Sequence, residues 1–248
     1  MVSVRDIIRD ELKMQFGNGF KEFDSEEALQ HVVDSSLYLC IGDSRGNAVA
    51  ISPYRALTAL HHLAKIGTPV CLKDIHGKVF SGVVGFCAFE KDNVDIAVLE
   101  LDQKGPQFAT STPVAQERVH LNQDINVVGL AIVANGDAET FSNRCTVQVI
   151  EKREGSTLFR SAYYYAQGFS GAGVITAMRS GIYHVVGVHV AAHDSTVGID
   201  HETKPTLKRL ASDIVSITSD LHGHSAYCLI CEIQRVDELV TYLSTSYT

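Results

Sequence analysis

The 248-residue sequence predicts an all-β protein built of two antiparallel six-stranded β-barrels that share an interface. Short runs of β-branched and apolar residues, separated by turn residues, begin at Leu37 and return in the second half of the chain. Between the halves lies Asp102–Arg118, a stretch with little periodicity that contains Gly105 and two prolines. The hydrophobic share of 45% supports a sizeable core.

Helical patterns are expected before the barrels, in residues 1–36. Residues 3–16 place apolar side chains on one face of a helix, and Gly17 is well placed to end it. Asp24 and Glu27 resemble a capping box for a second, short helix. The apolar residues of the two helices are Val4, Ile7, Ile8 and Leu12, then Leu29, Val32 and Val33.

The strand candidates fall into a first barrel over 37–110 and a second over 111–220. In the first they are Leu37–Ile41, Asn47–Ser52, Pro69–Lys73, Val79–Phe89 and Asp95–Leu101, with a turn over Gly42–Gly46. In the second they are Ile125–Leu130, Arg144–Lys152, Thr157–Tyr165, Gly173–Ala177 and Tyr183–Ala192.

Two segments follow these strands. Pro205 opens a helical pattern, which we assign as the helix after the second barrel. Residues 221–248 form a short extension, with a β-like run Ala226–Ile233 followed by helical spacing from Val236 to Leu243.

Three motifs suggest a hydrolytic site. Gln167–Val174 sets Ser170 among glycines, which indicates a bent backbone that presents a hydroxyl and bare N–H groups, although a surface turn is the simpler interpretation of this run alone. Ala56–His62 ends in histidine, and Asp92–Leu101 carries two aspartates. Attack on an acyl carbon by serine needs a base and a carboxylate that orients it, and all three types are present.

These stretches resemble the three signature motifs of the chymotrypsin-like (trypsin-fold) peptidases, in the order His, Asp, Ser. Leu57–His61, Asp95–Leu99 and Gly168–Gly171 carry the resemblance. It implies a serine endopeptidase that works through an acyl-enzyme on a peptide or protein substrate.

The resemblance also implies a role for each catalytic residue. His61 is the expected general base, Asp95 the orienting carboxylate and Ser170 the nucleophile. The backbone N–H groups of Gly168 and Ser170 are the expected oxyanion hole. We prefer Asp95 to Asp92 because Asp95 directly precedes a buried apolar run, where a carboxylate is held and partly desolvated.

Phe169 departs from the secreted members of the family. In their zymogens an aspartate at this place pairs with a newly cut N-terminal amine, and phenylalanine cannot form that ion pair. We therefore expect the full-length chain to be competent without proteolytic trimming.

His189 is the predicted specificity residue. The resemblance implies that its strand lines the primary pocket and pairs with substrate backbone, so His189, Val190 and Ala191 are the expected substrate-binding residues. A histidine here resembles glutamyl endopeptidases and the main proteases of several RNA viruses, which predicts cleavage after Glu or Gln, with Glu more favoured as pH falls through the titration of the histidine. Ungapped counting from the serine also brings Tyr164 and Tyr165 to this pocket; a strand histidine without substrate contact is the alternative.

Two other functions are alternatives to a serine peptidase. Gly168–Ala172 comes close to the nucleophile elbow of an α/β-hydrolase, but the second glycine is missing, and that fold needs its aspartate and histidine after the serine. A catalytically weak barrel that serves as a peptide-binding or scaffolding module is the alternative from a different class.

Composition and charge limit the expected binding partners and cellular location. The formal net charge of −8 and the absence of basic runs argue against nucleic acid, and no segment reaches membrane-spanning length. Without a secretory signal we expect an intracellular, cytoplasmic protein with six reduced cysteines and no cofactor. His222, His224, Cys228 and Cys231 have a spacing that could hold zinc, but the two cysteines also lie in an ordinary apolar strand, which we favour.

Overall fold

A computed structural model describes most of the chain. The described residues are 26–41, 44–62, 65–87, 94–132, 138–150, 158–163, 169–177, 183–193 and 226–245. The predicted helices over 3–16 and from Pro205 lie outside them. So do three predicted site or ligand groups, namely Gly168, the pair Tyr164 and Tyr165, and the pair His222 and His224.

The first half is a closed barrel of six antiparallel strands, as expected. The strands are β1 Ser36–Ile41, β2 Ser44–Ser52, β3 Arg55–Thr58, β4 Pro69–Asp74, β5 Val79–Cys87 and β6 Ala97–Leu101. Their order around the barrel is β1-β2-β3-β6-β5-β4. Alternation sets the inner face: in β4, Val70 and Leu72 are buried while Pro69, Cys71 and Lys73 are exposed.

The second half is a seven-stranded sheet. Its strands are β7 Asp124–Ile132, β8 Ala138–Thr146, β9 Val149–Ile150, β10 Leu158–Tyr163, β11 Gly173–Ala177, β12 Tyr183–His193 and β13 Ala226–Glu232. Their order is β8-β7-β11-β12-β13-β10-β9.

The two halves repeat one connectivity. If β7, β8, β10, β11, β12 and β13 are matched in turn to β1 through β6, every neighbour pair of the first barrel recurs except β2·β3, and β9, which follows β8 by two residues, pairs with β10 in that place. The sheet is therefore a second copy of the same barrel pattern.

The strand at Ala226–Glu232 belongs to this sheet. It pairs with β12 on one side and with β10 on the other, so it takes the place that β6 has in the first barrel. From the sequence, these residues are expected in an extension beyond the barrel. Local periodicity identified the strand but carried no information about its neighbours.

The strands differ from the prediction at several places. β2 begins at Ser44, inside the expected turn, and β3 is a strand that the sequence pattern does not predict, since most of its residues lie in the histidine motif. β6 begins at Ala97, so Asp95 precedes it. β8 starts well before Arg144: its sequence is polar, and it is a strand because it pairs with β7 along its whole length.

Among the described residues, two short helices flank the barrels. The helix α1, Glu26–Asp34, confirms the second predicted helix, and its Val32 and Val33 are buried. The helix α2, Asp237–Thr245, confirms the spacing seen near the C-terminus and follows a 3₁₀ turn at Ile233–Arg235. No helix in the described residues is long and apolar enough to cross a membrane.

Within the described residues, two apolar clusters form the core. One fills the first barrel. The other joins the halves: Val49 and Leu57 of the first barrel pack in one cluster with Val128 and Val188 of the second sheet and with Val32 of α1. This shared core fixes the interface along which the predicted catalytic residues lie.

Candidate active site

Paired strands bring His61 and Asp95 together. β3 and β6 run antiparallel with Thr58 opposite Ala97, so the end of β3 lies beside the start of β6. His61 stands three residues after Thr58, in a 3₁₀ turn at Leu60–His62, and Asp95 stands two residues before Ala97. The contact between them therefore follows from the register of one strand pair.

Asp95 holds His61 at two points. Its Oδ1 accepts the backbone N–H of His61 at 2.8 Å, and its Oδ2 lies 2.6 Å from Nδ1 of the ring. An ionised carboxylate only accepts, so Nδ1 carries the proton and Nε2 is left as an acceptor. The side chains are 42% and 27% exposed respectively, so the pair is partly shielded yet open to a ligand.

The serine motif forms a tight turn anchored to both halves. The N–H of Ala172 donates to the carbonyl of Phe169 at 2.9 Å, which closes the turn around Ser170. The carbonyl of Ser170 accepts the N–H of Asn47 at 2.7 Å, and the N–H of Gly171 donates to the carbonyl of His189 at 2.7 Å. The turn is thus tied to β2 of the first barrel and to β12 of its own sheet.

Asn47 connects the Ser170 turn, the strand that leads to His61 and the strand β7, a role that is not evident from the sequence. It is fully buried, and its carbonyl accepts the hydroxyl of Thr58 at 2.6 Å, on the strand that leads to His61. Its side-chain amide donates to the carbonyl of Leu130 at 2.9 Å and accepts the N–H of Leu130 at 2.6 Å. An asparagine in an apolar strand, a position where the residue is depleted, was the available signal.

Gly171 is required by close packing against Asn47. Its φ of +88° lies in the left-handed region. A Cβ built there would stand 1.9 Å from the carbonyl oxygen of Asn47 and 2.5 Å from Oγ1 of Thr58. The glycine of the serine motif therefore serves the approach of the two halves as well as the turn.

Phe169, the residue before Ser170, is a buried apolar side chain in the serine motif. It is 1% exposed, and its ring lies 5.7 Å from that of His189, centroid to centroid. Gly129 makes room for it, since a Cβ there would come within 2.3 Å of the ring. The position that the resemblance associates with a charged activation pair is here filled by buried hydrocarbon.

His189 lies deep beside the turn. It is 2% exposed, and its N–H donates to the carbonyl of Ala172 at 2.9 Å. Burial, with a smaller contribution from His61, lowers its pKa to about 3, and Asp95 opposes the shift. The imidazole is therefore neutral at pH 7.

The other predicted strand residues are placed on β12. Val190 is 6% exposed and lies at an irregularity in the pairing with β13, between His189 and Ala191. Such bulges often redirect side chains beside active sites. Ala191 itself pairs with Leu229.

The zinc alternative gains no support within the described residues. They contain no group of three or more His, Cys, Asp or Glu side chains that could hold a metal ion. Cys228 and Cys231 both lie in β13, the strand favoured for them.

The fold has many structural neighbours. No protein-family model and no curated protein matches the sequence. An inactive form of Rv3671c from M. tuberculosis H37Rv, a serine-to-alanine mutant, is 16% identical with a TM-score of 0.56 over 89% of this chain and 92% of that one. Kallikrein-related peptidase 10 is 13% identical, with a TM-score of 0.55 over 87% and 98% of the two chains.

A viral protease is also similar. A mutant of the Tobacco Etch Virus protease is 12% identical, with a TM-score of 0.57 over 92% of this chain and 84% of the other. At such identities the likeness concerns the fold, and it agrees with the closed six-stranded barrel and its repeated connectivity. The chain has the chymotrypsin-like double-barrel fold.

Proposed function

We propose that this chain is a serine endopeptidase that hydrolyses peptide bonds through an acyl-enzyme on Ser170. The observation that carries the proposal is the two-point contact of Asp95 with His61, which leaves Nε2 of the ring as an acceptor. The anchoring of the Ser170 turn to β2 supports it, because β2 is paired with the strand that leads to His61.

In the proposed reaction His61 acts first as a base and then as an acid. Nε2 takes the proton of the Ser170 hydroxyl as the oxygen attacks the carbonyl carbon of the substrate. The resulting imidazolium is stabilised by Asp95, and it then protonates the leaving amine. A water molecule then attacks the acyl-enzyme, with His61 again as the base, and releases the acid product.

The negative oxygen of the tetrahedral intermediate needs hydrogen-bond donors. Backbone N–H groups of Ser170 and Gly168 are our candidates. The left-handed backbone at Gly171 supports this choice, because it fixes the turn that follows the nucleophile. Donors fixed in advance need no reorganisation during the reaction.

We further propose cleavage after Glu or Gln, with His189 in the primary pocket. A neutral imidazole donates one hydrogen bond, which either side chain accepts. Because its pKa is lowered to about 3, this donor has no charge between pH 5 and 9. The ratio of Glu to Gln cleavage is then constant from about pH 6 to 9, where the substrate Glu is fully ionised as well, in place of the rise with acid expected from the sequence.

A fluorophosphonate probe and a peptide library test the proposal together. The wild type should be labelled on Ser170, and Ser170→Ala should lose both labelling and cleavage. Replacing His61 by Ala should lower turnover by several orders of magnitude, and the double variant should lose little more, because the residues act as a unit. Ser81→Ala, at an exposed serine of β5, is the matched control.

Two outcomes would contradict different parts of the proposal. Full cleavage by Ser170→Ala would exclude the nucleophile and favour a barrel with another role. A library profile dominated by Arg, Lys or aromatic residues would exclude the pocket assignment and leave the triad in place.

The structure also changes how independence from trimming is tested. Val32 and Val33 belong to the core that joins the halves, so a deletion through residue 34 would damage the fold. Removing residues 1–25 leaves α1 whole. We expect the full chain to react with the probe, and reaction of the shortened chain alone would identify residues 1–25 as an inhibitory segment.

A further inference from the structure

Two cysteines face each other across the seam that closes the first barrel. β1 and β4 pair antiparallel, and Cys40 is directly opposite Cys71 in their register. Directly opposed residues of an antiparallel pair have Cα atoms roughly 4.5 to 5.5 Å apart, and disulfides span roughly 4.4 to 6.8 Å. The backbone thus already holds these two residues at bridging distance.

Both side chains lie on the outer face of the barrel. In β4 the inward positions are Val70 and Leu72, so Cys71 between them points outward, and it is exposed. Opposed residues share a face, and Cys40 is accordingly half-buried rather than enclosed in the core. Both are free thiols in this structure.

The surroundings of the pair are basic. Arg45 lies opposite Cys40 on the next strand, and Lys73 follows Cys71 by two positions on the same face. Burial and the charge of Cys71 raise the pKa of Cys40, while Arg45 and Lys73 oppose that rise. The geometric argument for the pair rests on the register.

Cys87 provides a contrast within the same barrel. It is buried, and its cross-strand partner in β6 is Ala97, so it has no thiol opposite it. Burial alone raises its pKa. Cys40 and Cys71 therefore differ from an ordinary core cysteine in two ways: each has a thiol directly opposite it, and neither is buried in the core.

We propose that Cys40 and Cys71 form a redox modification site, which a peroxide oxidant converts into a reversible cross-strand disulfide. The Cys71 thiolate, as the more exposed, attacks one oxygen of the peroxide; the O–O bond breaks, and a sulfenic acid and water result. The Cys40 thiolate then attacks that sulfur and expels the hydroxyl of the sulfenic acid, which leaves as water. Two thiols and one hydrogen peroxide become one disulfide and two waters.

The disulfide would close a covalent ring that contains the part of the first barrel leading to the predicted catalytic histidine. Residues 41–70 lie between the two cysteines and include Asn47, Thr58 and His61. A covalent link across the seam restricts the unfolded chain. For a ring of this length the thermal midpoint should rise by roughly 10 °C on oxidation.

The test uses the full chain and hydrogen peroxide. After oxidation, blocking of the remaining thiols and digestion without reductant, mass mapping should find one peptide pair joined through Cys40 and Cys71, with two hydrogens lost and restored by dithiothreitol. The thermal midpoint should rise with the bridge and fall back on reduction. Cys87→Ala should leave both results unchanged.

Single variants separate the two roles. In Cys40→Ser the sulfenic acid cannot be resolved, so a dimedone probe should label Cys71. In Cys71→Ser the label on Cys40 should be several-fold weaker, because that thiol is less exposed. The proposal is overturned if both cysteines are still alkylated after peroxide treatment, if either bridges elsewhere, or if both proceed to sulfinic acid without a bridge.

Discussion

Asp95 binds His61 through both carboxylate oxygens, one on the backbone N–H at 2.8 Å and the other on Nδ1 of the ring at 2.6 Å. The first contact fixes the 3₁₀ turn that follows β3, and the second fixes the ring and its tautomer. Both depend on the register of β3 with β6, which places the two residues at one end of the same strand pair.

Asp95→Asn should preserve the fold and lower kcat/KM by roughly 10³- to 10⁴-fold. The amide oxygen still accepts the backbone N–H of His61, whereas the amide nitrogen opposes a protonated Nδ1 and favours the wrong tautomer. Cleavage kinetics of a library-derived peptide and a thermal melt measure the two effects. Asp102→Asn, at an exposed turn aspartate that accepts the N–H of Lys104, is the control, and equal losses in both variants would refute the role of Asp95.

Gly171→Ala should be far more destabilising than Gly67→Ala. Both glycines have positive φ, +88° and +84°, but a Cβ at Gly67 meets nothing within 4 Å, whereas one at Gly171 meets the carbonyl of Asn47 at 1.9 Å. Gly67→Ala should cost about 1 kcal/mol in the free energy of unfolding, and Gly171→Ala more than about 3 kcal/mol. Denaturant unfolding measures both, and similar costs would show that backbone strain alone explains the glycine.

Asn47→Ala should cost about 2 to 4 kcal/mol in the free energy of unfolding. It removes both hydrogen bonds to the backbone of Leu130 and leaves that N–H and carbonyl buried between the halves. Asn126 is a matched control: it is also buried in a strand, and its Oδ1 has no hydrogen-bond partner among the described residues. Asn126→Ala should cost clearly less, and the reverse order would contradict the bridging role of Asn47.

His189 should make the protein less stable in acid. Its folded pKa of about 3 lies below the ordinary value of 6.5, so between these values the unfolded chain binds a proton that the folded protein does not. Its contribution is therefore complete above pH 6.5 and is lost as pH falls toward 3. At pH 5 the loss amounts to about 2 kcal/mol.

The measurement compares unfolding free energies at pH 7 and pH 5 for the wild type and for His189→Gln, which has no titrating ring. The drop between the two pH values should be smaller in His189→Gln by about 2 kcal/mol. His76→Gln, at a histidine whose side chain is 74% exposed, should behave like the wild type. An unchanged drop in His189→Gln would show that the buried ring is protonated in the folded state.

Much of the fold was predictable because burial leaves a periodic record in the sequence. The alternation in Pro69–Lys73 and the apolar run in Gly173–Ala177 predicted β4 and β11 closely. The capping box at Asp24 and Glu27, followed by Leu29, Val32 and Val33, predicted α1. The polar strand β8 left no such record, since its strand conformation comes from pairing with β7.

The sequence by itself determined the order of the three motifs, most strand positions and the choice of Asp95 over Asp92 as the candidate, because each depends on residue types in a short window. Only the tertiary structure decided that Asn47 joins Ser170 to Leu130, that Ala226–Glu232 lies between β12 and β10, and that Cys40 faces Cys71. The physical reason is that strands are joined by backbone hydrogen bonds, which nearly every residue can make, so the local pattern shows that a strand exists but not which strand lies beside it.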